Sequence, residues 1–368
     1  WVLSLNEEFG KTAKGQREGS YSFDPSSGCL SSGKHVLGRL VVRPLGELPP
    51  CSTDVADLLK HGLSVATSEI MEEMQNKENA GAFFVLPSQM NAAEYPDCVD
   101  KAIVTEVNDY RYDRTAGPRG QLAGHLGCAQ FLLDNAKSTI RRSGLDALSR
   151  LLPALRDQGV TSQEAKDFLA NLEVKNGYLM VPELEAEDAT SALDEVVGAV
   201  EAQLKKLRTI AMLDIPATGL SPSLESWSRC RHTVNLVYAS AVPVNAYSNK
   251  TESLENVKLQ RSVAALLLRG AYFGALKLAL ETALSKPRSK LRQKVFLLPL
   301  GGGVFNNPFK DIVKAILEAY HMVKCLPILP NGAKLDDLLD VRVLTWKGKP
   351  EEAERCTRLL KDMGQPKG

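Results

Sequence analysis

Apolar and polar positions along the chain follow two periodicities, one typical of β-strands and one of α-helices. Six short apolar runs read as strands: 36–42, 82–86, 210–215, 233–239, 295–300 and 341–346. Longer segments with apolar residues at helical spacing follow most of them: 54–74, 121–135, 145–158, 162–171, 193–207, 254–284, 310–323 and 350–363. This alternation predicts an α/β fold of three layers, with a mostly parallel or mixed sheet and helices on both faces.

One stretch departs from this alternation. Residues 143–211 are mostly helical in pattern and rich in Ala, Leu and Glu. We therefore expect residues 1–368 to form a single α/β domain with a helical insertion at 143–211. Charged pairs in that stretch, such as Glu201 with Lys205, suit solvated i,i+4 contacts.

Composition narrows the class of protein further. The chain has 368 residues, of which 44% are hydrophobic, enough for a sizeable core. Lys and Arg number 45 against 44 Asp and Glu, so no overall field favours nucleic acid or an anionic membrane. The longest apolar stretch, 262–284, is interrupted by Arg269, Gly270 and Lys277, which predicts a buried amphipathic helix rather than a membrane span.

Cysteine and histidine patterns give no sign of a metal or cofactor site. The seven Cys never form a C-x-x-C pair, and the five His never cluster. We expect no protein-bound metal, no cofactor, and a reducing, intracellular compartment.

The segment most informative about function is 295–320, VFLLPLGGGVFNNPFKDIVKAILEAY. An apolar strand is followed by Gly301, Gly302 and Gly303, and then by a helix for which Asn306 or Asn307 is a candidate cap. Glycines let the backbone amides approach a ligand, and the N-terminus of a helix favours an anion. The segment therefore predicts a phosphate-binding loop, with an ordinary tight turn as the alternative.

Two well-known phosphate loops do not match this chain. The G-x-G-x-x-G pattern would need a glycine at Asn306, and no Lys-Ser/Thr follows Gly303 as in a Walker loop. A nearer Walker match, Gly28 to Lys34, is followed by His35 and by a strand, so we interpret it as a hairpin connection.

Polar residues also follow the predicted strand 82–86. Gln89 and Asn91 offer amide groups at the carboxyl end of that strand, where ligands bind in open α/β sheets. They suit ribose hydroxyls or a base edge, or they merely close a turn.

The segment 109–120, DYRYDRTAGPRG, is rich in Tyr, Arg and Gly. Arg111, Arg114 and Arg119 are candidates for pairing with phosphate or carboxylate, and Tyr110 or Tyr112 for stacking on a base. Gly117 and Gly120 permit close approach of the backbone to a ligand. A structural ion pair between Asp113 and Arg114 is the alternative.

Together these segments resemble the macro domain family, in particular its larger, divergent branch. Residues 298–308, LPLGGGVFNNP, resemble the loop that wraps the diphosphate of ADP-ribose. Residues 89–93, QMNAA, resemble the loop whose asparagine approaches the distal ribose, and 237–247 resembles a further strand end of the pocket. The resemblance implies a macro-domain-like fold with an adenine pocket built from a strand-end acid and a distant aromatic residue.

The resemblance implies the following site. Gly301, Gly302, Gly303 and Val304 would hold phosphate, with Phe305 over the ribose. Gln89 and Asn91 would contact hydroxyls, and Asn306, Arg114 and Gly117 would also contact the ligand. For hydrolysis, Asn91 with Asp113 or Asp97 would orient water at the anomeric carbon, although the paired glutamates of poly(ADP-ribose) glycohydrolases are missing after the glycines.

Three functions remain open from the sequence. The first is binding of ADP-ribose or a related nucleotide diphosphate, free or attached to a modified protein. The second is ADP-ribosyl hydrolysis on the same fold. The third is a scaffold that binds a protein partner through the helical insertion. No nucleic acid or membrane partner is indicated.

Overall fold

In the computed structural model of the chain, the described residues form a nine-stranded mixed sheet. The structure describes residues 22–24, 26–32, 35–50, 62–94, 110, 115–139, 145–175, 177–220, 227–244, 253–286, 291–330 and 332–362. The strands are β1 (Ser22–Asp24), β2 (Cys29–Ser32), β3 (His35–Pro44), β4 (Ser64–Ser68), β5 (Phe83–Pro87), β6 (Glu173–Lys175), β7 (Tyr178–Met180), β8 (Arg208–Leu220), β9 (Trp227–Ala239), β10 (Gln293–Leu297) and β11 (Leu339–Trp346). All but β6 and β7, which pair with each other, belong to the large sheet.

The large sheet has an antiparallel half and a parallel half. Its order is β1-β2-β3-β8-β9-β5-β10-β11-β4. Neighbours from β1 to β9 are antiparallel, whereas β9, β5, β10, β11 and β4 are parallel. The carboxyl ends of these five parallel strands therefore share one edge, which we call the carboxyl edge. Pro44 pairs with Arg208 and Ile210 with Tyr238, so the end of β3 and the start of β8 lie at the same edge.

Helices cover both faces of the sheet. They are α1 (Ile70–Gln75), α2 (Ala116–Ala123), α3 (Leu126–Thr139), α4 (Leu151–Arg156), α5 (Gln163–Ala170), α6 (Ala186–Gln203), α7 (Leu254–Ser285), α8 (Phe309–Lys324), α9 (Leu335–Leu338) and α10 (Pro350–Asp362). Single 3-10 turns cover Lys77–Asn79 and Leu204–Lys206.

Alternate strand residues enter two separate cores, as the period of two in a strand requires. On β5, Phe83 and Val85 join a large core with α4 to α10, while Phe84 joins a small core with α1 to α3. Phe84 stacks on Phe296 of β10 with a centroid distance of 4.7 Å. Full burial of each such side chain contributes roughly 1.5–3 kcal/mol. The expected three-layer α/β fold with a mixed sheet is thus confirmed.

Two predicted helices differ from the structure. The helix expected over 54–74 is wrong at Ser64–Ser68, which is β4, because these residues pair in parallel with β11. Within 54–74, only 70–74 are helical, as part of α1 (Ile70–Gln75). Residues 51–61 lie outside the described residues. The helix expected over 121–135 is split into α2 and α3, because Gly124 has an extended backbone.

The stretch 143–211 contains α4, α5, α6 and the hairpin β6–β7 within its described part. Its apolar side chains pack into the large core beside α7. The division of the chain into one domain with an insertion stays a prediction.

One helix among the described residues is long and apolar enough to cross a membrane. It is α7, with 32 residues; its 18-residue apolar window has a mean hydropathy of 1.6, and 78% of that window is buried within the protein. The expected burial of this stretch is confirmed, because α7 packs against α6 and α8 in the large core. In the near Walker match, Cys29–Ser32 form β2, which pairs antiparallel with β3 as the hairpin interpretation predicts, and 33–34 lie outside the described residues.

Candidate functional site

The carboxyl edge brings three loops together from neighbouring strands. We call residues 88–94 after β5 the first loop, 240–244 after β9 the β9 loop, and 298–308 after β10 the glycine loop. Because β9, β5 and β10 are adjacent, the three loops lie side by side. Ligands of open α/β sheets bind in this position.

The three glycines of the glycine loop have different surroundings. Gly301 has φ +75°, and a Cβ there would lie 2.6 Å from both Ala241 and the Asn307 amide, so the fold requires glycine. A Cβ on Gly302 would lie 3.3 Å from Ile312. Gly303 lies outside the left-handed region, and its Cβ would have no neighbour within 4 Å among the described residues. Gly302 and Gly303 are exposed, and Val304 is 72% exposed beside them.

Asn307 holds the glycine loop in shape instead of capping a helix. Its side-chain amide donates to the carbonyl oxygen of Val242 at 2.9 Å, and its backbone N–H donates to that of Gly301 at 3.1 Å. The N-cap of α8 is Pro308, and no side chain caps this helix. The expectation that Asn306 or Asn307 caps the helix is therefore wrong. Asn306 has φ +55°, a turn conformation that asparagine tolerates.

A buried tyrosine hydrogen-bonds the backbone at the start of the glycine loop. Tyr272 of α7 donates its hydroxyl to the carbonyl oxygen of Leu298 at 2.7 Å and accepts from the N–H of Leu300 at 2.9 Å. Burial raises the pKa of Tyr272 well above its usual value, so the neutral phenol keeps both bonds.

The first loop is a tight turn built around Asn91. The Asn91 Oδ1 accepts from the N–H of Ala93 at 3.1 Å, and Ala92 has φ +64°. Gln89 is 1% exposed and Asn91 is 8% exposed. Asn91 therefore does close a turn, and its contact with a ligand stays a prediction, as does that of Gln89.

The hairpin β6–β7 contacts both the first loop and the glycine loop. The carbonyl oxygen of Gly177 accepts from the N–H of Met90 at 2.7 Å, and a Cβ on Gly177 would lie 2.5 Å from Gln89 Oε1. The ring of Tyr178 meets Phe305 edge-on at 4.9 Å. Gly177 and Tyr178 were not predicted from the sequence, although the dipeptide Asn176-Gly177 is a hairpin signal.

The glycines of α2 pack closely against neighbouring residues of the protein. A Cβ on Gly117 would collide with the carbonyl oxygen of Pro87 and would lie 2.6 Å from Glu94 Oε1. A Cβ on Gly120 would collide with the side chain of Leu86. These glycines thus let α2 pack against the end of β5, and a ligand contact at Gly117 stays a prediction.

Several residues proposed from the segment 97–120 have a different outcome. Tyr110 is fully buried, and its hydroxyl accepts from the N–H of Glu94 at 3.0 Å, so it presents no face for stacking. Arg119 pairs with Glu69 at 3.1 Å. The other residues proposed from 97–120 lie outside the described residues, and so does the end of segment 237–247, which was proposed as a further strand end of the pocket. These residues are Asp97, Arg111, Tyr112, Asp113, Arg114, Asn245 and Tyr247.

An acid and an aromatic residue lie on the other side of the glycine loop. Trp346 ends β11 and is 52% exposed, and its indole N–H donates to Glu69, directly after β4, at 2.5 Å. The backbone of Gly348 lies close to the indole ring, because a Cβ there would be 2.6 Å from it. This pair fits the strand-end acid and distant aromatic residue that the resemblance implies, and the sequence alone did not locate it.

The carboxylates at this edge are already engaged. Glu69 accepts from Arg119 and Trp346, and Glu94 is buried against Gly117. Among the described residues, no three His, Cys, Asp or Glu side chains could hold a metal ion.

Comparisons with known proteins give distant likenesses. No protein-family model and no curated protein matches the chain. Among solved structures, the poly(ADP-ribose) glycohydrolase of Thermomonospora curvata bound to the inhibitor ADP-HPD is 12% identical, with a TM-score of 0.41, over 97% of this chain and 99% of that chain. A mutant form of the same glycohydrolase is 13% identical with a TM-score of 0.35 over the same shares. Likeness of this degree supports no conclusion about the site.

Proposed function

We propose that the protein binds ADP-ribose or a closely related nucleotide diphosphate at the carboxyl edge of its sheet. The observation that carries this proposal is Gly303, where neither the backbone conformation nor packing against the described residues requires glycine. A missing side chain at an exposed loop in front of a helix leaves backbone amides accessible to phosphate.

The helix behind the loop favours the same ligand. The helix α8 has 16 residues, and its N-terminus follows the glycine loop directly. The positive end of the helix dipole stabilises an anion there. Asp311 in its first turn is paired with Arg261 at 2.7 Å, which reduces its repulsion of a phosphate.

The strand order suggests how the ligand would lie. Trp346 and Glu69 at β11 and β4 would take the base, the glycine loop after β10 the diphosphate, and Asn91 after β5 the distal ribose. Neighbouring strands are about 4.8 Å apart, so these three spacings cover roughly 14 Å. This length suits an extended nucleotide that carries a second sugar. Phe305 and Tyr178 would close over the ribose beside the diphosphate.

Calorimetry with ADP-ribose tests the proposal, with Gly303→Val as the variant. We expect the wild-type protein to bind and the valine variant to lose at least about tenfold in affinity, since valine would cover the amides. Gly159→Val is the matched control, because Gly159 also has nothing within 4 Å of its Cβ and lies between α4 and α5. Both variants should unfold at the wild-type temperature.

A panel of ADP-ribose, its acetyl ester, NAD and ADP decides the ligand class. ADP should bind more weakly than ADP-ribose, because it lacks the ribose assigned to the first loop. If no member of the panel binds, or if Gly303→Val binds as tightly as the wild type, the proposal is wrong.

Hydrolysis is the second function that the sequence left open. Two described carboxylates at the edge, Glu69 and Glu94, are engaged within the protein, which favours binding. Release of ADP-ribose from a modified protein, lost in Asn91→Ala and in Asp113→Ala, would assign the hydrolase instead.

A further inference from the structure

An open cleft of about 570 Å³ lies at the β3–β8 end of the carboxyl edge. We call it the basic cleft. Its walls are Pro44 at the end of β3, Gly46 just after it, the chain around α4, and the two lysines that precede β8. None of these residues belongs to the glycine loop or to the first loop.

Positive charge dominates the lining of the basic cleft. Arg150, Lys205 and Lys206 line it, against one carboxylate, Asp157, among its described lining residues. Lys205 pairs with Glu47 at 3.0 Å, but the side chains are 41% and 87% exposed. An exposed pair of this kind contributes at most about 1 kcal/mol, so Lys205 can exchange this partner for a bound anion.

A fourth cation lies just beneath the lining. Arg208 donates to Ser149 Oγ at 2.8 Å, and Ser149 itself lines the cleft. Burial and then the charge of Arg150 lower the pKa of Arg208, while Asp146 acts in the opposite direction. The fold therefore holds two guanidinium groups close enough to repel, a cost that a bound anion would relieve.

The geometry points to the basic cleft as a second binding site, one for an oligophosphate group. Its volume lies within the range of small-ligand pockets, and Arg and Lys are the residues that bind phosphate. The phosphates belong either to a free oligophosphate or to a nucleotide polyphosphate. The site is separate from the glycine loop and does not depend on the function proposed for it.

Calorimetry with inorganic triphosphate at low ionic strength tests this site. The double variant Arg150→Gln/Lys206→Gln removes two exposed cations, and we expect it to weaken binding at least about tenfold. Arg358→Gln/Lys361→Gln on α10 removes two exposed cations elsewhere and should bind as the wild type does. Glu47→Gln frees Lys205 and should tighten binding, which a folding defect would not do.

A second series identifies the source of the phosphates. In the Gly303→Val background, equal affinity for triphosphate and adenosine triphosphate assigns a free oligophosphate, and tighter binding of the nucleotide assigns a nucleotide polyphosphate. The inference is overturned if the cleft double variant binds triphosphate like the wild type, or if the control double variant weakens binding equally. The inference would also be overturned if ADP-ribose displaced triphosphate, or if Gly303→Val lost triphosphate binding. Either result would place the triphosphate at the glycine loop.

Discussion

Asn307 and Val242 join the glycine loop to the β9 loop, through the 2.9 Å bond from the Asn307 amide to the Val242 carbonyl oxygen. A second bond runs in the same place, from the N–H of Val244 to the carbonyl oxygen of Phe305 at 3.0 Å. The shape of the glycine loop is therefore set by the neighbouring strand end as well as by its own glycines. A loop held in this way is preorganised, which lowers the entropic cost of binding a ligand.

Substitution of Asn307 should lower both stability and nucleotide affinity. Its amide nitrogen lies near three carbonyl oxygens, those of Val242, Gly301 and Phe305. Asn307→Ala removes the donor and should reduce the free energy of unfolding by about 1–3 kcal/mol. Asn307→Asp should reduce it further, because it places a carboxylate against these oxygens. Chemical denaturation measures both values.

Asn306→Gly is the control for this series. Asn306 is exposed with φ +55°, a value that glycine adopts readily. The stability of the Asn306→Gly variant should therefore remain close to that of the wild type. An aspartate at 307 that is no less stable than alanine would show that the amide donor does not hold the loop.

Removal of the Tyr272 hydroxyl should destabilise the start of the glycine loop. Tyr272→Phe leaves the carbonyl oxygen of Leu298 and the N–H of Leu300 without their partner, so we expect a loss of about 1–3 kcal/mol in unfolding free energy. Faster amide hydrogen exchange at Leu300 should accompany this loss. Unchanged exchange at Leu300 would contradict the assigned support.

Six strands could be predicted from the sequence because their short runs are almost wholly apolar and become buried. All six predicted strands occur, including β10, whose Val295, Phe296 and Leu297 are fully buried. The sequence did not predict β4, since Ser64–Ser68 has few apolar residues and becomes a strand only through pairing with β11. Local pattern cannot reveal a pairing partner nearly 280 residues away.

The sequence predicted the position of the candidate site only where glycine marks it. The exposed Gly302 and Gly303 stand in the glycine loop at a strand end, as expected. Glu69 and Trp346 were not found, because their 2.5 Å contact joins residues far apart in sequence. The ligand contact of Gly117 stays a prediction; its close neighbour in the structure is the Pro87 carbonyl oxygen, and a sequence pattern cannot distinguish such a neighbour from a ligand.

Trp346 should contribute to nucleotide affinity by stacking. Trp346→Ala should weaken ADP-ribose binding by about 1–3 kcal/mol, while Trp346→Phe should keep most of the affinity. Glu69→Gln should have a smaller effect, because an amide oxygen still accepts from the indole. Calorimetry gives these values. Ribose 5-phosphate, which lacks a base, is the control ligand and should bind wild type and Trp346→Ala equally; a loss for both ligands would rule out stacking.

Two helical glycines should respond in opposite directions to alanine. Gly198 lies exposed in α6 with no neighbour within 4 Å of its Cβ, so Gly198→Ala should stabilise the protein by about 0.5–1 kcal/mol. In α7, a Cβ on Gly274 would lie 2.6 Å from Leu45 and closer still to Thr209, so Gly274→Ala should destabilise it by about 1–3 kcal/mol. Urea unfolding of the pair measures both, and equal effects would contradict this packing.

Asp146 should make a pH-dependent contribution to stability. It lies next to Ala147, whose N–H donates to the carbonyl oxygen of Met90 in the first loop. Burial raises the pKa of Asp146, while the N–H of Leu148 and the charge of Arg208 oppose that shift. A raised folded-state pKa means that the contribution of this group is fully present below its unfolded value of about 3.9 and is lost as pH rises through the folded-state value.

Asp146→Asn mimics the protonated carboxyl and keeps an acceptor for Leu148. We therefore expect the variant to be more stable than the wild type at pH 7, with the difference shrinking as pH falls towards 4. Ser149→Ala is the control, because it removes the Ser149 bond of Arg208 without a titratable group and should shift stability equally at each pH. A variant less stable than the wild type at pH 7 would show that the attraction of Arg208 for the carboxylate outweighs its burial.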